Sequence, residues 1–266
     1  MNLRGAPDEY YFKFSRSAIF LSLLCAMHTY ACEADEGAAS YPPLPIDGGF
    51  LVFGPVAVLE DEGKPNPEMG VGLNFIDCSA GTKKFIARLP YVAGAGEVQD
   101  AFFADIEPDS KGVVIIHSAP IRAFTGVSYG NDYFSVMVFR LEGNALEFDK
   151  RLTDYFGSGA DVVSYRDEGD IPIYTYPYKT RSAIIERLKS EKYRKWVGDA
   201  QPGLTVLRKA VIYSSMNVAT PTKMYLIKDD KVKQESISAG CISILYETAK
   251  GKKIRGWILC GDVGEC

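Results

Sequence analysis

The stretch at residues 133–148, YFSVMVFRLEGNALEF, carries the clearest secondary-structure signal in the chain. Within Phe134–Val138, large apolar side chains recur at every second position, which is the period of a strand that buries one face. Residues Glu142–Asn144 are typical of a turn and lead into a second apolar run at Ala145–Phe148. The stretch therefore predicts a β-hairpin and indicates a mainly β fold.

Similar short runs lie on both sides of this hairpin, between segments rich in turn-forming residues. They predict a β-rich N-terminal domain at residues 48–178, with runs at Phe50–Leu59, Val71–Asp77, Lys84–Leu89, Val113–His117 and Tyr133–Leu141. Pro202 and Gly203 mark a boundary, and a second series predicts a domain at residues 203–266. Its runs are Ala210–Tyr213, Met224–Ile227, Val232–Glu235, Cys241–Glu247 and Ile254–Cys260.

A different pattern joins the two domains, at residues 179–201. Apolar side chains at three- and four-residue spacings in Ser182–Val197 predict one amphipathic helix, with Ser182 as its N-cap. Lys179–Val197 contains seven basic and two acidic residues. The basic surface is either a contact face for an acidic partner or anionic phospholipid headgroups, or an ordinary solvated outer face.

The first 31 residues have the organisation of a secretory signal peptide, in which Lys13 and Arg16 precede the apolar run Ala18–Met27. That run is about ten residues long, half of the roughly 20 that a spanning helix needs, so we expect no membrane span. An amphipathic cytosolic helix is the alternative. Residues 32–47 are acidic and proline-rich and predict an extended tether before the fold begins near Gly48.

Cys32 decides whether the exported protein carries a lipid. Thr29–Cys32 resembles the lipobox of bacterial lipoproteins, in which the cysteine is acylated and becomes the first mature residue. Acylation of Cys32, or cleavage after Ala34, leaves four cysteines for disulfides, whereas cleavage after Ala31 leaves five. We therefore expect a periplasmic or envelope protein whose only means of membrane anchoring is a lipid on Cys32.

The C-terminal segment, at about residues 205–264, resembles a bacterial SH3-like domain. Tyr225–Val232, YLIKDDKV, is similar to the Y-L-x-K-G-D-x-V opening of that family, with Asp229 where glycine is usual. Gly256–Val263, GWILCGDV, is similar to its G-W-[IV]-x-x-x-[DL] close. The resemblance implies a small β-barrel that binds cell-wall peptides or proteins, or packs on a companion domain, and is seldom catalytic. The N-terminal domain carries no such resemblance.

The last two strands of this segment predict a hairpin with Thr248–Lys253 as its loop. That loop sets Cys241 opposite Cys260, at a separation that a disulfide can bridge. The sequence therefore predicts a Cys241–Cys260 disulfide, and a second one between the remaining pair, Cys78 and Cys266.

One motif suggests a serine hydrolase. Gly126–Gly130 spells G-x-S-x-G, the nucleophile-elbow pattern, with Ser128 as the nucleophile. In that fold the catalytic histidine follows the serine, but the sequence has two histidines, of which His117 precedes the motif and the other lies in the leader. We therefore interpret the motif as a glycine-rich turn.

An acidic segment suggests a cation site. Asp105, Glu107 and Asp109 alternate, which places three carboxylates on one side, as a calcium site requires. Pro108 and the absence of glycine at the sixth position do not fit a calcium loop, so an acidic turn is the preferred interpretation. We predict no metal site and no cofactor.

The composition narrows the function further. With a formal net charge of −4, the chain has no overall positive field to hold nucleic acid. We predict a non-catalytic envelope protein that binds a protein or peptidoglycan partner, with a periplasmic immunity protein against a secreted toxin as the narrower alternative. A hydrolase using Ser128, or Asp105 and Glu107, is a third hypothesis. The candidate contact residues are Tyr225, Trp257, Lys250, Lys252 and Lys253.

Overall fold

The computed structural model describes residues 40–59, 65–121, 128–143, 145–164, 171–199, 203–216 and 218–263. These residues fall within one unit that spans residues 32–266. The predicted signal peptide at residues 1–31 and the predicted acylation site, Cys32, lie outside the described residues.

Seventeen strands and three α-helices make up the described part of the chain. The first strands are β1 (Tyr41–Ile46), β2 (Gly49–Leu59), β3 (Pro65–Asp77), β4 (Thr82–Arg88), β5 (Glu97–Glu107), β6 (Ser110–Ala119), β7 (Tyr133–Glu142) and β8 (Ala145–Phe148). Then follow α1 (Lys150–Phe156), β9 (Ser158–Gly159), β10 (Val162–Ser164), β11 (Ile171–Tyr174), α2 (Arg181–Lys189) and α3 (Glu191–Val197). The last strands are β12 (Gly203–Thr205), β13 (Ala210–Tyr213), β14 (Pro221–Leu226), β15 (Lys231–Ser238), β16 (Cys241–Glu247) and β17 (Lys253–Leu259). The mainly β prediction and the β7–β8 hairpin are confirmed.

The strands form four sheets. One contains β1-β2-β3-β4, and a second contains β5-β6-β7-β8, with β9 also pairing with β7. Strands β10 and β11 form a two-stranded sheet, and the C-terminal sheet has the order β12-β15-β16-β17-β13-β14. In the described residues the C-terminal sheet is open, with β12 and β14 as its edges, rather than the closed small barrel that the resemblance implied.

Strand β6, in the middle sheet β5-β6-β7-β8, is buried on both faces. Val113 and Ile115 of β6 pack against the sheet of β1 to β4, whereas Val114 and Ile116 join a second core with the helices and the C-terminal sheet. A strand covered on both sides has no polar face to alternate with its apolar one, which explains the unbroken apolar run of β6. The two predicted domains, residues 48–178 and 203–266, therefore both contribute to the second core.

The prediction of a tether at residues 32–47 is wrong for its second half. Tyr41–Ile46 is strand β1, which pairs with β2 and packs Tyr41, Leu44 and Ile46 against the first core. Three prolines are compatible with a strand here because β1 is the outermost strand of its sheet and its register shifts between Tyr41 and Leu44.

The single predicted helix is in fact two. Helix α2 is capped by Thr180, not by Ser182, and ends at Ser190, whose extended backbone breaks the helical path. The Ser190 hydroxyl then accepts a hydrogen bond from the amide of Tyr193, 3.1 Å away, and caps α3. Apolar spacing alone could not reveal this break, because the side chains on both helices face the same core.

The predicted Cys241–Cys260 disulfide is wrong. Cys241 is a buried free thiol that pairs with Leu259, so the β16–β17 register differs by one residue from the predicted one. The turn amide of Thr248 bonds the Lys252 carbonyl and Lys253 already belongs to β17, which makes the loop one residue shorter than expected. Cys260 lies beyond the strand, in a 3-10 helix at Cys260–Asp262, and is disulfide-bonded.

The predicted second disulfide has one half in the described residues. Cys78, directly after β3, is disulfide-bonded. Cys266 lies outside the described residues. Its pairing with Cys78 stays a prediction.

Candidate functional site

The register of β16 and β17 creates an aromatic outer face on the C-terminal sheet. Trp257 pairs with Ser243 on one side and with Tyr213 on the other, so the three side chains point to the same face. On this face Tyr213 and Cys241 are buried and Trp257 is half-buried against them. The opposite face of the same sheet contributes to the second core, which it shares with the helices and the middle sheet.

Segments from the N-terminal half cover this outer face. Val162 of β10 is buried against it, together with Val218 from the loop between β13 and β14. Tyr129 and Tyr174 pack at the margin of the same cluster, and Tyr129 forms an isolated β-bridge with Val162. The two halves of the chain thus meet around a cluster of aromatic side chains.

A cleft of about 330 Å³ opens at this junction, and we call it the aromatic cleft. Its walls come from the segments around residues 129–133, 158–162, 174, 215–218 and 239. The lining residues are Tyr129, Tyr133, Ser158, Gly159, Ala160, Val162, Tyr174, Ser215, Met216, Val218 and Ala239. The rings of Tyr129 and Tyr133 meet edge to face, with 6.4 Å between their centroids.

Hydrogen bonds hold the floor of the aromatic cleft in place. The Tyr174 hydroxyl donates to the carbonyl oxygen of Ala239, which joins β11 to the turn between β15 and β16. Behind it, the amide of Tyr176 donates to the Asp161 carboxylate at 2.8 Å, and Lys179 pairs with the same carboxylate at 2.6 Å. The bond from Tyr174 to Ala239 connects the two halves of the chain, and the Asp161 contacts fix the segment behind it, so together they preorganise the cleft.

The described lining of the aromatic cleft carries no charge. None of the described residues that line it is acidic or basic. Burial raises the pKa of Tyr133 and of Tyr174, so both phenols stay protonated at neutral pH. Beneath the cleft, burial raises the pKa of Cys241 to about 12, which keeps this thiol protonated and unreactive. The described lining is suited to holding a neutral apolar group.

The structure does not bring the predicted contact residues together. Trp257 lies beneath the aromatic cleft as part of the supporting cluster. Tyr225 is 54% exposed on the edge strand β14, where the Lys209 amine lies 4.4 Å from its ring centroid. The exposed side chains of Lys250, Lys252 and Lys253 lie at the far turn of the β16–β17 hairpin, four residues along β17 from Trp257, which corresponds to about 13 Å.

The residues of the aromatic cleft were missed by sequence reasoning. Tyr129 and Tyr133 share one segment, whereas Tyr174 and Met216 come from two others, and only the tertiary fold brings the three segments together. No local spacing links them. The one signal available in the sequence was its 16 tyrosines, since tyrosine is a residue type enriched at binding surfaces.

The serine-hydrolase hypothesis gains no support from the geometry. Ser128 lies in a loop outside the strands and helices, and its carbonyl accepts a hydrogen bond from the amide of Val163 at 3.0 Å. His117 is buried in β6, with its Nε2 atom 2.9 Å from the carbonyl oxygen of Ala95. Burial lowers the pKa of His117. The imidazole ring therefore connects β6 to the loop that contains Ala95.

The acidic segment is divided between a strand and a turn. Asp105 and Glu107 belong to β5, and Asp109 occupies the following turn with a left-handed φ of 59°. Arg140 pairs with Glu107 at 2.9 Å and so ties β7 to this carboxylate. Within the described residues, no group of three or more His, Cys, Asp or Glu side chains could hold a metal ion.

Comparisons with known proteins identify no relative. No family model matches the chain, and no curated protein or solved structure is significantly similar to it. Among the helices in the described residues, none is long and apolar enough to cross a membrane. The function must therefore be argued from the aromatic cleft and the surfaces around it.

Proposed function

We propose that this chain is a non-catalytic, exported protein of the cell envelope whose aromatic cleft receives an apolar side chain of a protein partner. The observation that carries the proposal is the uncharged aromatic lining of the cleft. Protein interfaces concentrate their binding energy in a few aromatic or aliphatic side chains that fill such pockets. Export and the envelope location rest on the N-terminal sequence.

The lining favours a protein partner over peptidoglycan. Stem peptides of the cell wall carry free carboxylates, and a carboxylate that leaves water without a cationic partner is strongly disfavoured. The described lining offers phenol and serine hydroxyls but no lysine or arginine. An apolar anchor residue needs no such partner and gains free energy by leaving water.

We further propose that the C-terminal segment is an SH3-like module. Both stretches that carry the resemblance lie on one sheet, the first across β14 and β15 and the second in β17 and the turn after it. Asp229 has a left-handed φ of 72°, a conformation that favours the glycine usual at this position. Val206 and Val263 form a β-bridge that joins the two ends of the module.

A charge introduced at the mouth of the aromatic cleft tests the proposal. Met216 lines the cleft and is 46% exposed, so Met216→Glu places a carboxylate there without disturbing the core. Met224→Glu is the matched control, because Met224 is 41% exposed on β14 and does not line the cleft. The oxidised full chain and both variants are used to capture proteins from envelope extract and to sediment with purified peptidoglycan.

We expect one dominant protein to be captured by the unmodified chain and by Met224→Glu, and its affinity for Met216→Glu to fall by about tenfold or more. A captured secreted toxin would identify the narrower role of an immunity protein. Equal capture by all three proteins would refute the assignment of the cleft. Sedimentation with peptidoglycan that is insensitive to Met216→Glu, without a captured protein, would instead identify a cell-wall-binding protein.

A further inference from the structure

A second opening, which we call the helix groove, lies between strand β5 and the helices α2 and α3. It has a volume of about 440 Å³, which falls within the range of sites for small-molecule ligands, about 300–1,000 Å³. Most of its walls are apolar, with Phe103, Ala104 and Ile106 from the strand and Ile185, Leu188 and Val197 from the helices.

The apolar walls of the helix groove are partly open to water. Phe103 is 38% exposed, and Ile185 and Val197 are half-buried although they belong to the inner sides of their helices. Ile185 and Val197 pack against the core on one side and remain partly exposed on the other. Apolar surface of this kind gains free energy when an apolar ligand covers it.

A hydrogen bond from helix α3 occupies one position on the free edge of β5. Strand β5 is the outermost strand of its sheet, so a peptide could in principle extend the sheet along its edge. The Tyr193 hydroxyl, however, donates a 2.6 Å hydrogen bond to the carbonyl oxygen of Ile106 and so occupies the edge from the helix side. The helix groove itself lies between β5 and the helices, beside this occupied position.

Two cations stand at the rim of the helix groove on its helix side. Lys189 and Arg194 are exposed and line the groove, and neither forms an ion pair with any described residue. Four basic residues around them are ion-paired, in the pairs Lys179–Asp161, Arg181–Asp100, Arg151–Asp199 and Lys195–Glu191. Arg187 lies over the Tyr178 ring, with 6.0 Å to its centroid, and Lys192 is exposed. The basic segment seen in the sequence therefore keeps two of its unengaged charges at this groove.

The acidic side chains of the helix groove lie on its strand side. Glu107 is paired with Arg140 at 2.9 Å and approaches Arg151 at 3.6 Å, so its charge is already balanced. Asp105 is exposed on β5 and its backbone pairs with that of Lys111 on β6. The groove thus has an apolar middle, a cationic helix side and one free carboxylate on the strand side.

We propose that the helix groove binds a single-chain anionic amphiphile, such as a fatty acid, with its hydrocarbon chain between β5 and the helices. Its carboxylate pairs with Lys189 and Arg194, where charge-assisted hydrogen bonds favour an anion. The apolar walls contact the hydrocarbon chain of the ligand, and the two unpaired cations bind its carboxylate. This site is distinct from the aromatic cleft, and its assignment does not depend on the partner proposed there.

Calorimetric titration of the oxidised full-length protein tests this site. The probes distinguish the contribution of the hydrocarbon chain from that of the head-group charge. The probes are decanoate, decyltrimethylammonium, which has the same chain and the opposite charge, and acetate, which has the head group without the chain. The variant Lys189→Gln with Arg194→Gln removes both rim cations. Its matched control, Lys192→Gln with Lys195→Gln, removes the same charge from exposed positions of α3 outside the groove.

We expect saturable one-to-one binding of decanoate, at least about tenfold tighter than binding of decyltrimethylammonium, and no measurable binding of acetate. The rim variant should bind decanoate about tenfold more weakly, and the control within about twofold of the unmodified chain. Equal affinity for both amphiphiles, or equal weakening in both variants, would overturn the proposal. Binding to phosphatidylglycerol vesicles without binding of decanoate would overturn it in favour of a membrane-contacting face.

Discussion

Gly256 belongs to the stretch that resembles the SH3-like family, and the close approach of neighbouring atoms explains why this position requires glycine. Gly256 lies in β17, opposite Ile244 and beside β13. A Cβ atom at this position would lie 2.4 Å from Cγ2 of Ile212 and 3.0 Å from the carbonyl oxygen of Tyr213. Ordinary contacts of a Cβ atom begin at about 3.4 Å, so Gly256→Ala requires a displacement of about 1 Å at Ile212.

The size of the effect follows from what surrounds the clash. Ile212 is 1% exposed and packed in the second core, and the other close atom is the backbone oxygen of Tyr213. A displacement of either one is therefore energetically costly. Overpacking of this kind costs about 3 kcal/mol at the upper end of its usual range. The lower entropy of the unfolded chain offsets up to about 1 kcal/mol. We therefore expect Gly256→Ala to lower the free energy of unfolding by about 2 kcal/mol.

Gly203→Ala is the matched control. Gly203 is also a strand residue, it is exposed, and no described atom would lie within 4 Å of its Cβ. Here only the unfolded-state entropy acts, and we expect a change between zero and a gain of about 1 kcal/mol. Urea unfolding of the oxidised protein measures both variants, and thermal unfolding should show a decrease of about 4–8 °C for Gly256→Ala. A difference between the two variants below about 1 kcal/mol would refute the argument from close approach.

Two further predictions concern Cys241, which lies beneath the aromatic cleft, and the turn between β14 and β15. Since burial raises the pKa of Cys241 to about 12, we expect this thiol to resist alkylation by iodoacetamide at pH 8 in the folded protein and to react fully in urea, as followed by mass spectrometry; rapid labelling of the folded state would contradict its burial. Asp229→Gly should raise the free energy of unfolding by about 0.5 kcal/mol by relieving the left-handed φ of 72°. Asp230→Gly should instead lower it by about 1 kcal/mol, because the Asp230 side chain accepts a 2.8 Å hydrogen bond from the amide of Ile227; urea unfolding that shows equal changes for the two would refute this.

The strands were predictable because their signal is local. The alternation at Tyr133–Leu141 matches β7, Tyr133–Glu142, to within one residue. The unbroken apolar run at Val113–His117 likewise lies within β6, which the fold covers on both faces. Backbone period and side-chain polarity suffice for this level of structure, since each strand must direct its apolar side chains to some core.

The register, the first strand and the helix break were not predictable in the same way. A loop shorter by one residue moved Leu259, rather than Cys260, opposite Cys241 and turned Trp257 towards the outer face of the sheet. The proline-rich Tyr41–Ile46 became a strand because an edge was available beside β2. These outcomes depend on which segment lies beside each element in the folded protein, and the local composition does not specify that segment.

The sequence by itself determined the β content, the hairpins and the basic character of the helical segment, because each depends on residues close together in the chain. Only the tertiary structure decided that Tyr129, Tyr174 and Met216 line one cleft, and that Lys189 and Arg194 both line one largely apolar groove. Both sites are formed by segments that are distant in sequence, and the packing of two shared cores sets their relative positions. The relative positions of these segments depend on how the layers pack as a whole, so no local pattern of residues encodes them.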